Sequence, residues 1–114
     1  MTARELYQKL RPLQEKRGSY FNQDMSMTMQ LLESLLVNKE RYGYMACPCR
    51  LASGKFELDK DITCPCMYRD PDVAEYGACF CGLYVSKDFN EGKTPPQVVP
   101  ERRPPEKTLA ALSS

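Results

Sequence analysis

The chain has 114 residues, 16 Lys and Arg against 15 Asp and Glu for a net charge of +1, six Cys and no His. That length supports one domain with a modest core, residues 1–114, and the balanced charge leaves no nucleic-acid footprint. The missing His removes His-based zinc sites, His-ligated haem and every His-dependent triad, and with no apolar run of membrane length and a charged start, MTARELYQKL, the chain is expected in the cytoplasm and off the membrane.

Taken in order, residues 3–16 carry Leu6, Leu10 and Leu13 at helical spacing. Pro12 is expected to end or kink that helix, or to start a second short one. Arg17-Gly18-Ser19 breaks the pattern, and Tyr20-Phe21 read as core anchors. A second helix follows, with Asp24 as its N-cap and Met25, Met29, Leu32, Leu35 and Leu36 on one face. Lys39 and Arg41 suit its last turn, and Gly43 is placed to end it in a left-handed cap. The Met residues read as flexible core filler rather than a soft-metal site.

Beyond that helix, Leu51 to Lys55 is turn-rich, and Asp59-Lys60-Asp61 is expected to be exposed. Asp70-Pro71-Asp72 starts a short helix that Gly77 stops. Leu83-Tyr84-Val85 is a compact apolar segment, a candidate for a buried extended piece. From about Gly92 the composition shifts: Pro95, Pro96, Pro100, Pro104 and Pro105 exclude a continuous helix, so a Pro-rich tail lies extended against the domain, with a short helix at 105–112 whose end frays.

Every cysteine falls between positions 47 and 81, as Cys47-Pro48-Cys49, Cys64-Pro65-Cys66 and Cys79-Phe80-Cys81. A C-x-C pair does not easily close on itself, because a disulfide needs a suitable Cα separation and a torsion near a right angle. The pairs must look to each other or to a metal. Three readings stay open on spacing alone. Zinc prefers four thiolates, commonly from C-x-x-C knuckles that this chain lacks; three structural disulfides lack a secretory context; an iron–sulfur cluster takes four thiolates and leaves two thiols beside it.

Two Cys-Pro-Cys motifs, the first followed by Arg50, and a closing Cys79-Phe80-Cys81, with Tyr20-Phe21 and Asp24 ahead of the main helix, form a specific signature. From about Tyr20 to Val85 the chain resembles the catalytic chain of ferredoxin:thioredoxin reductase, most of all its bacterial and archaeal ferredoxin:disulfide reductase branch. The resemblance implies a mostly α fold, a small helical domain wrapped around one [4Fe–4S] cluster with irregular cysteine-bearing loops. Carried over, the cluster ligands are Cys47, Cys64, Cys66 and Cys79, and the redox-active disulfide joins Cys49, the exposed attacking thiol, to Cys81 beside the cluster.

The implied activity is reduction of a disulfide on thioredoxin or a similar protein, with electrons from ferredoxin or a similar one-electron donor. Many non-plant members act without the small barrel-shaped companion chain. Phe80 stands where the chloroplast type has His, so the proton source must be water, a buried carboxyl or a phenol such as Tyr68, Tyr76 or Tyr84. Arg41, Arg50, Lys55, Lys60 and Arg69 are candidate charges for docking an acidic donor, interleaved with Glu57, Asp59, Asp61 and Asp70. The rival reading is a non-enzymatic iron–sulfur or zinc module that senses redox conditions.

Overall fold

The computed structural model describes residues 1–95 and 97–112. Pro96, named in the expectations above, and residues 113–114 lie outside the described residues. Two long helices form the first layer. Helix α1 (Ala3–Lys16) opens on a reciprocal cap: Thr2 Oγ1 accepts the Glu5 N–H at 3.2 Å and Glu5 Oε1 accepts the Thr2 N–H at 3.1 Å. Helix α1 continues past Pro12, which neither ends it nor starts a second helix. Gln8 and Pro12 both face solvent, so water can take the carbonyl that proline leaves without a partner. Leu6 is buried, whereas Leu13 is exposed, which shortens the stripe to the first half of the helix.

Helix α2 (Met25–Tyr42) is bounded as its sequence predicts. Asp24 accepts the Met27 N–H at 3.2 Å, Lys39 and Arg41 lie in the last turn, and Gly43 closes the helix at φ 88°. A residue with a Cβ would be strained there. Leu32 and Leu35 are fully buried, but Met25 is exposed. Its expected place in the core is filled one turn on by Thr28, whose hydroxyl donates to the Asn22 carbonyl at 2.7 Å.

Strand β1 (Tyr20–Phe21) pairs antiparallel with β2 (Tyr84–Val85), Phe21 opposite Tyr84. This two-residue ladder docks the far end of the cysteine region onto the helices. The Phe21 ring lies 5.0 Å from Tyr7 and 5.1 Å from Tyr84, centroid to centroid, so α1, β1 and β2 share one aromatic stack. Leu6, Phe21, Leu32, Leu35, Leu83, Tyr84 and Cys79 form the principal core.

The remaining elements are short: α3 (Phe56–Asp59) running into a 3₁₀ turn (Lys60–Ile62), α4 (Arg69–Tyr76), α5 (Lys87–Asn90) and α6 (Pro105–Leu112). Helix α4 ends at Gly77 as expected and begins one residue before the Asp70-Pro71-Asp72 start signal. Asp59 and Asp61 are buried, not exposed. The reason is local demand for an acceptor: Asp59 takes the Ser53 and Gly54 N–H groups and the Tyr44 and Ser53 hydroxyls, and Asp61 takes the Tyr68 hydroxyl at 2.7 Å and Arg103 Nε at 2.9 Å. Lys60 between them points outward. No helix among the described residues is long and apolar enough to cross a membrane.

Candidate functional site

Each cysteine pair is entered one residue after a β-bridge. Ala46 bridges Thr63, so the first two pairs leave one shared anchor, and Ala78 bridges Val85 just before the third. Backbone bonds continue the grip: Cys47 N–H to Ile62 O at 2.8 Å, Cys64 N–H to Met45 O at 2.7 Å, and Cys79 N–H to Tyr84 O at 2.9 Å. The Cys64–Pro65 peptide is cis. Gly82 turns the third pair back toward β2 at φ 79°, a backbone conformation that would strain any residue with a Cβ.

The result is one small cavity lined by Cys47, Cys64, Cys66, Cys79 and Cys81, with Arg50, Arg69, Phe80 and Tyr84 completing the wall. Five of the six predicted site residues are thus brought together. The sixth, Cys49, does not line the cavity, and it is the exposed one of the six free cysteines. It still keeps company with the others: hydrogen bonds with the Cys47 and then the Cys81 thiol, with a smaller contribution from the Arg50 guanidinium, hold Cys49 far below the usual thiol range, at about 3. Cys81 is driven the other way by the same contacts with Cys47, Cys49 and Cys79 and by burial. Its sulfur is 3.7 Å from that of Cys79.

Within the cavity, burial pushes the Cys64 and Cys66 thiols up, and the hydrogen bond with Cys49 raises Cys47. Cys79 is lowered to about 7 by its bond with Cys81 and by the Tyr84 N–H, which approaches its sulfur at 3.3 Å. Thiols that burial holds protonated give up their protons when a cation binds them. The donor set fits a soft, polynuclear group. Five thiols line one cavity, and a thiolate-only set of soft donors suits an iron–sulfur group. The Tyr84 hydroxyl, buried in the same wall, has no hydrogen-bond partner among the described residues.

Two of the five cations proposed for donor docking belong to this wall and not to the surface. Arg50 is 9% exposed and Arg69 4%, whereas Arg41, Lys55 and Lys60 are exposed. Arg50 Nη1 donates toward Cys66 Sγ at 3.4 Å, and its guanidinium lies over the Phe80 and Tyr68 rings. Arg69 lies over the Tyr84 ring and donates to Gln14 of α1. Desolvation by a ring of thiols and aromatics makes a buried guanidinium useful here as a counter-charge.

Sequence reasoning places the tail against the domain but misses the charges by which it reaches the site. Glu101 pairs with Arg50, Arg102 with Asp72 and Glu75, and Arg103 with Asp61. Three consecutive charges inside a Pro-rich stretch were the available signal.

A model of the ferredoxin thioredoxin reductase catalytic beta chain family matches residues 3–102. Among individual proteins, the chain is 33% identical over 76 residues to the ferredoxin-thioredoxin reductase catalytic chain of Guillardia theta, covering 65% of this chain and 71% of that one. The corresponding chain of Synechocystis sp. is 32% identical over 76 residues, 65% of this chain and 61% of its own length. The chloroplastic catalytic chain of Arabidopsis thaliana is 31% identical over 75 residues, 64% of this chain and 49% of its own.

Proposed function

The chain belongs to the ferredoxin thioredoxin reductase catalytic beta chain family, and from that premise we propose that it is an oxidoreductase that reduces the disulfide of a thioredoxin-like protein with electrons from a ferredoxin-type donor. The single observation that carries this reading is the partition of the thiols, five around one cavity and Cys49 at the surface beside them. Cys47, Cys64, Cys66 and Cys79 would hold a [4Fe–4S] cluster, and Cys49 and Cys81 would be the redox pair, working in a reducing compartment such as the cytoplasm. When bound, the cluster supplies electrons one at a time next to a pair whose chemistry needs two.

The remaining steps fall to the chain's own residues. The Cys49 thiolate attacks one sulfur of the substrate disulfide; a mixed S–S bond forms, and the other substrate sulfur leaves as a thiolate and is protonated. Cys81 then attacks the Cys49 sulfur, the second substrate sulfur departs, and the Cys49–Cys81 disulfide is left. Two electrons and two protons return that disulfide to the dithiol. Burial and the hydrogen bond to Asp61 push the Tyr68 phenol up, and burial pushes up Tyr84, so neither yields a proton near neutral pH. Water supplies it. Phe80, half-buried on the cavity wall, serves as an apolar cover. A thinnest dimension of 22 Å supports a reading in which donor and substrate approach the cysteine site from different faces.

Iron and zinc content and the visible spectrum of anaerobically purified protein test the reading. Coloured, iron-loaded protein is expected. Cys49→Ser should keep the iron and lose all disulfide reduction, whereas Cys64→Ser should lose the iron. Colourless protein with stoichiometric zinc would replace this reading with the sensing module, and equal iron loss in the two variants would overturn the assignment of roles.

A further inference from the structure

Arg50 plays no part in the steps above, yet it is the cation nearest the cysteines. Its side chain is 2% exposed, and its Nη1 lies 3.4 Å from Cys66 Sγ and 3.9 Å from Cys47 Sγ. The guanidinium carbon stands 4.6 Å from the Phe80 ring centroid and 5.1 Å from that of Tyr68. A long side chain does not hold such a place unaided. The restraint comes from the tail: Glu101 accepts from Arg50 Nε at 2.9 and 3.1 Å and from Nη2 at 2.8 Å. Glu101 is itself fixed, because its Oε1 accepts the Arg103 N–H at 2.8 Å. Arg103, 3% exposed, is moored by Asp61 at 2.9 Å and by the carbonyls of Leu51 at 3.3 Å and Leu58 at 3.1 Å.

We propose that Arg50 supplies a fixed positive charge to the cysteine site and that Glu101, reaching in from the C-terminal strap, is the positioning residue that keeps it there. The inference rests on the redox role assigned to the cavity. Every electron delivered to a redox group ringed by thiolates, or to the Cys49–Cys81 disulfide, adds negative charge in a place where water screens weakly, and a guanidinium at hydrogen-bond range offsets that cost. Arg suits the task because it stays protonated at all working pH values and its planar fork can face a carboxylate and a sulfur together. Glu101 does not line the cavity, so its own charge opposes reduction less than Arg50 favours it.

The test is a double-substitution cycle on the reduction potential of the anaerobically purified full chain, with circular dichroism reporting the fold of each variant. Arg50→Gln should lower the equilibrium constant for one-electron reduction about tenfold, a fall of about 59 mV. Arg50→Lys, which keeps the charge and loses the fork, should recover part of it. Glu101→Gln should raise the potential in the Arg50→Gln background, where only a negative charge is lost. In the wild type the same change should raise it less or lower it, because Arg50 is also set loose. A folded Arg50→Gln with an unchanged potential, or shifts that simply add, would overturn the proposal. If Arg50→Gln does not fold, Arg50→Lys takes its place in the cycle. The iron content of the wild type is read first. Iron-free protein counts against the cluster, and the cycle then runs on the Cys49–Cys81 dithiol couple in glutathione buffers, where an unchanged couple counts against Arg50 separately.

Discussion

On the α1–α2 side of the molecule, Leu6, Phe21, Leu32 and Leu35 are buried and the buried polar residues, Gln14, Ser19, Asn22 and Thr28, are all uncharged. On the cysteine side the picture inverts: Arg50, Asp59, Asp61, Arg69, Asp72 and Arg103, every buried charge among the described residues, lie beyond Cys47. One side is a hydrophobic frame whose packing follows from helical periodicity. The other has little regular structure, and its loops are kept in place by ion pairs that join the tail to the loops. A loop that must present sulfurs to a cavity cannot also bury a large apolar face, so directional bonds take over from area.

The contrast breaks first at Arg103. Arg103→Ala leaves Asp61 buried without its cation, with only the Tyr68 hydroxyl still donating to it, and should cost about 3–5 kcal/mol. Urea unfolding should show the loss, with thiol accessibility of the cysteine loops rising at denaturant concentrations that leave α1 and α2 helical. Leu35→Ala in the frame should cost about 2–5 kcal/mol through the cavity it leaves, and there thiol accessibility and helicity should change together. A single shared transition for Arg103→Ala would mean that the two sides are not separable.

Acid sharpens the same distinction. Burial opposes the charge on Asp61 and Asp59, but hydrogen bonds from Tyr68 and Arg103 to the one, and from Tyr44, Ser53 and Gly54 to the other, outweigh it and hold both below the usual carboxylate range. A group depressed in the folded state contributes its stability in full above its unfolded value, about 3.9 for Asp. That contribution is lost as pH falls through the lower folded value. The urea midpoint should therefore drop between pH 5 and pH 3, and Asp61→Asn should flatten that drop while starting from a lower midpoint. The smallest effect belongs to the frame's own cap: Asp24→Ala should cost about 1 kcal/mol, read as a lowered thermal midpoint.

The frame was legible because its signals are local. Asp24 and Gly43 each specify a boundary within a turn of themselves, as Gly77 does for α4 on the other side, and the apolar run at Leu83 to Val85 reads as a buried extended piece, which it is. Where local rules failed, solvent or a distant partner decided. Pro12 is tolerated because its turn is wet. Asp61 reads as a surface acid until Arg103, 42 residues later, is known to reach it, and Arg50 reads as a docking charge until Glu101 closes on it from 51 residues away. The clustering of the cysteines could be inferred from their spacing and the family resemblance. The guanidinium beside them could not.

The bridges that precede the three pairs also govern how this chain tolerates insertions and deletions. Ala46, Thr63 and Ala78 set the position of Cys47, Cys64 and Cys79 from one residue away, so the length of the intervening chain has little leverage on the sulfurs. The spacing between the pairs is therefore a poor ruler for recognising such a site, and a bridging residue directly ahead of each pair is a better one.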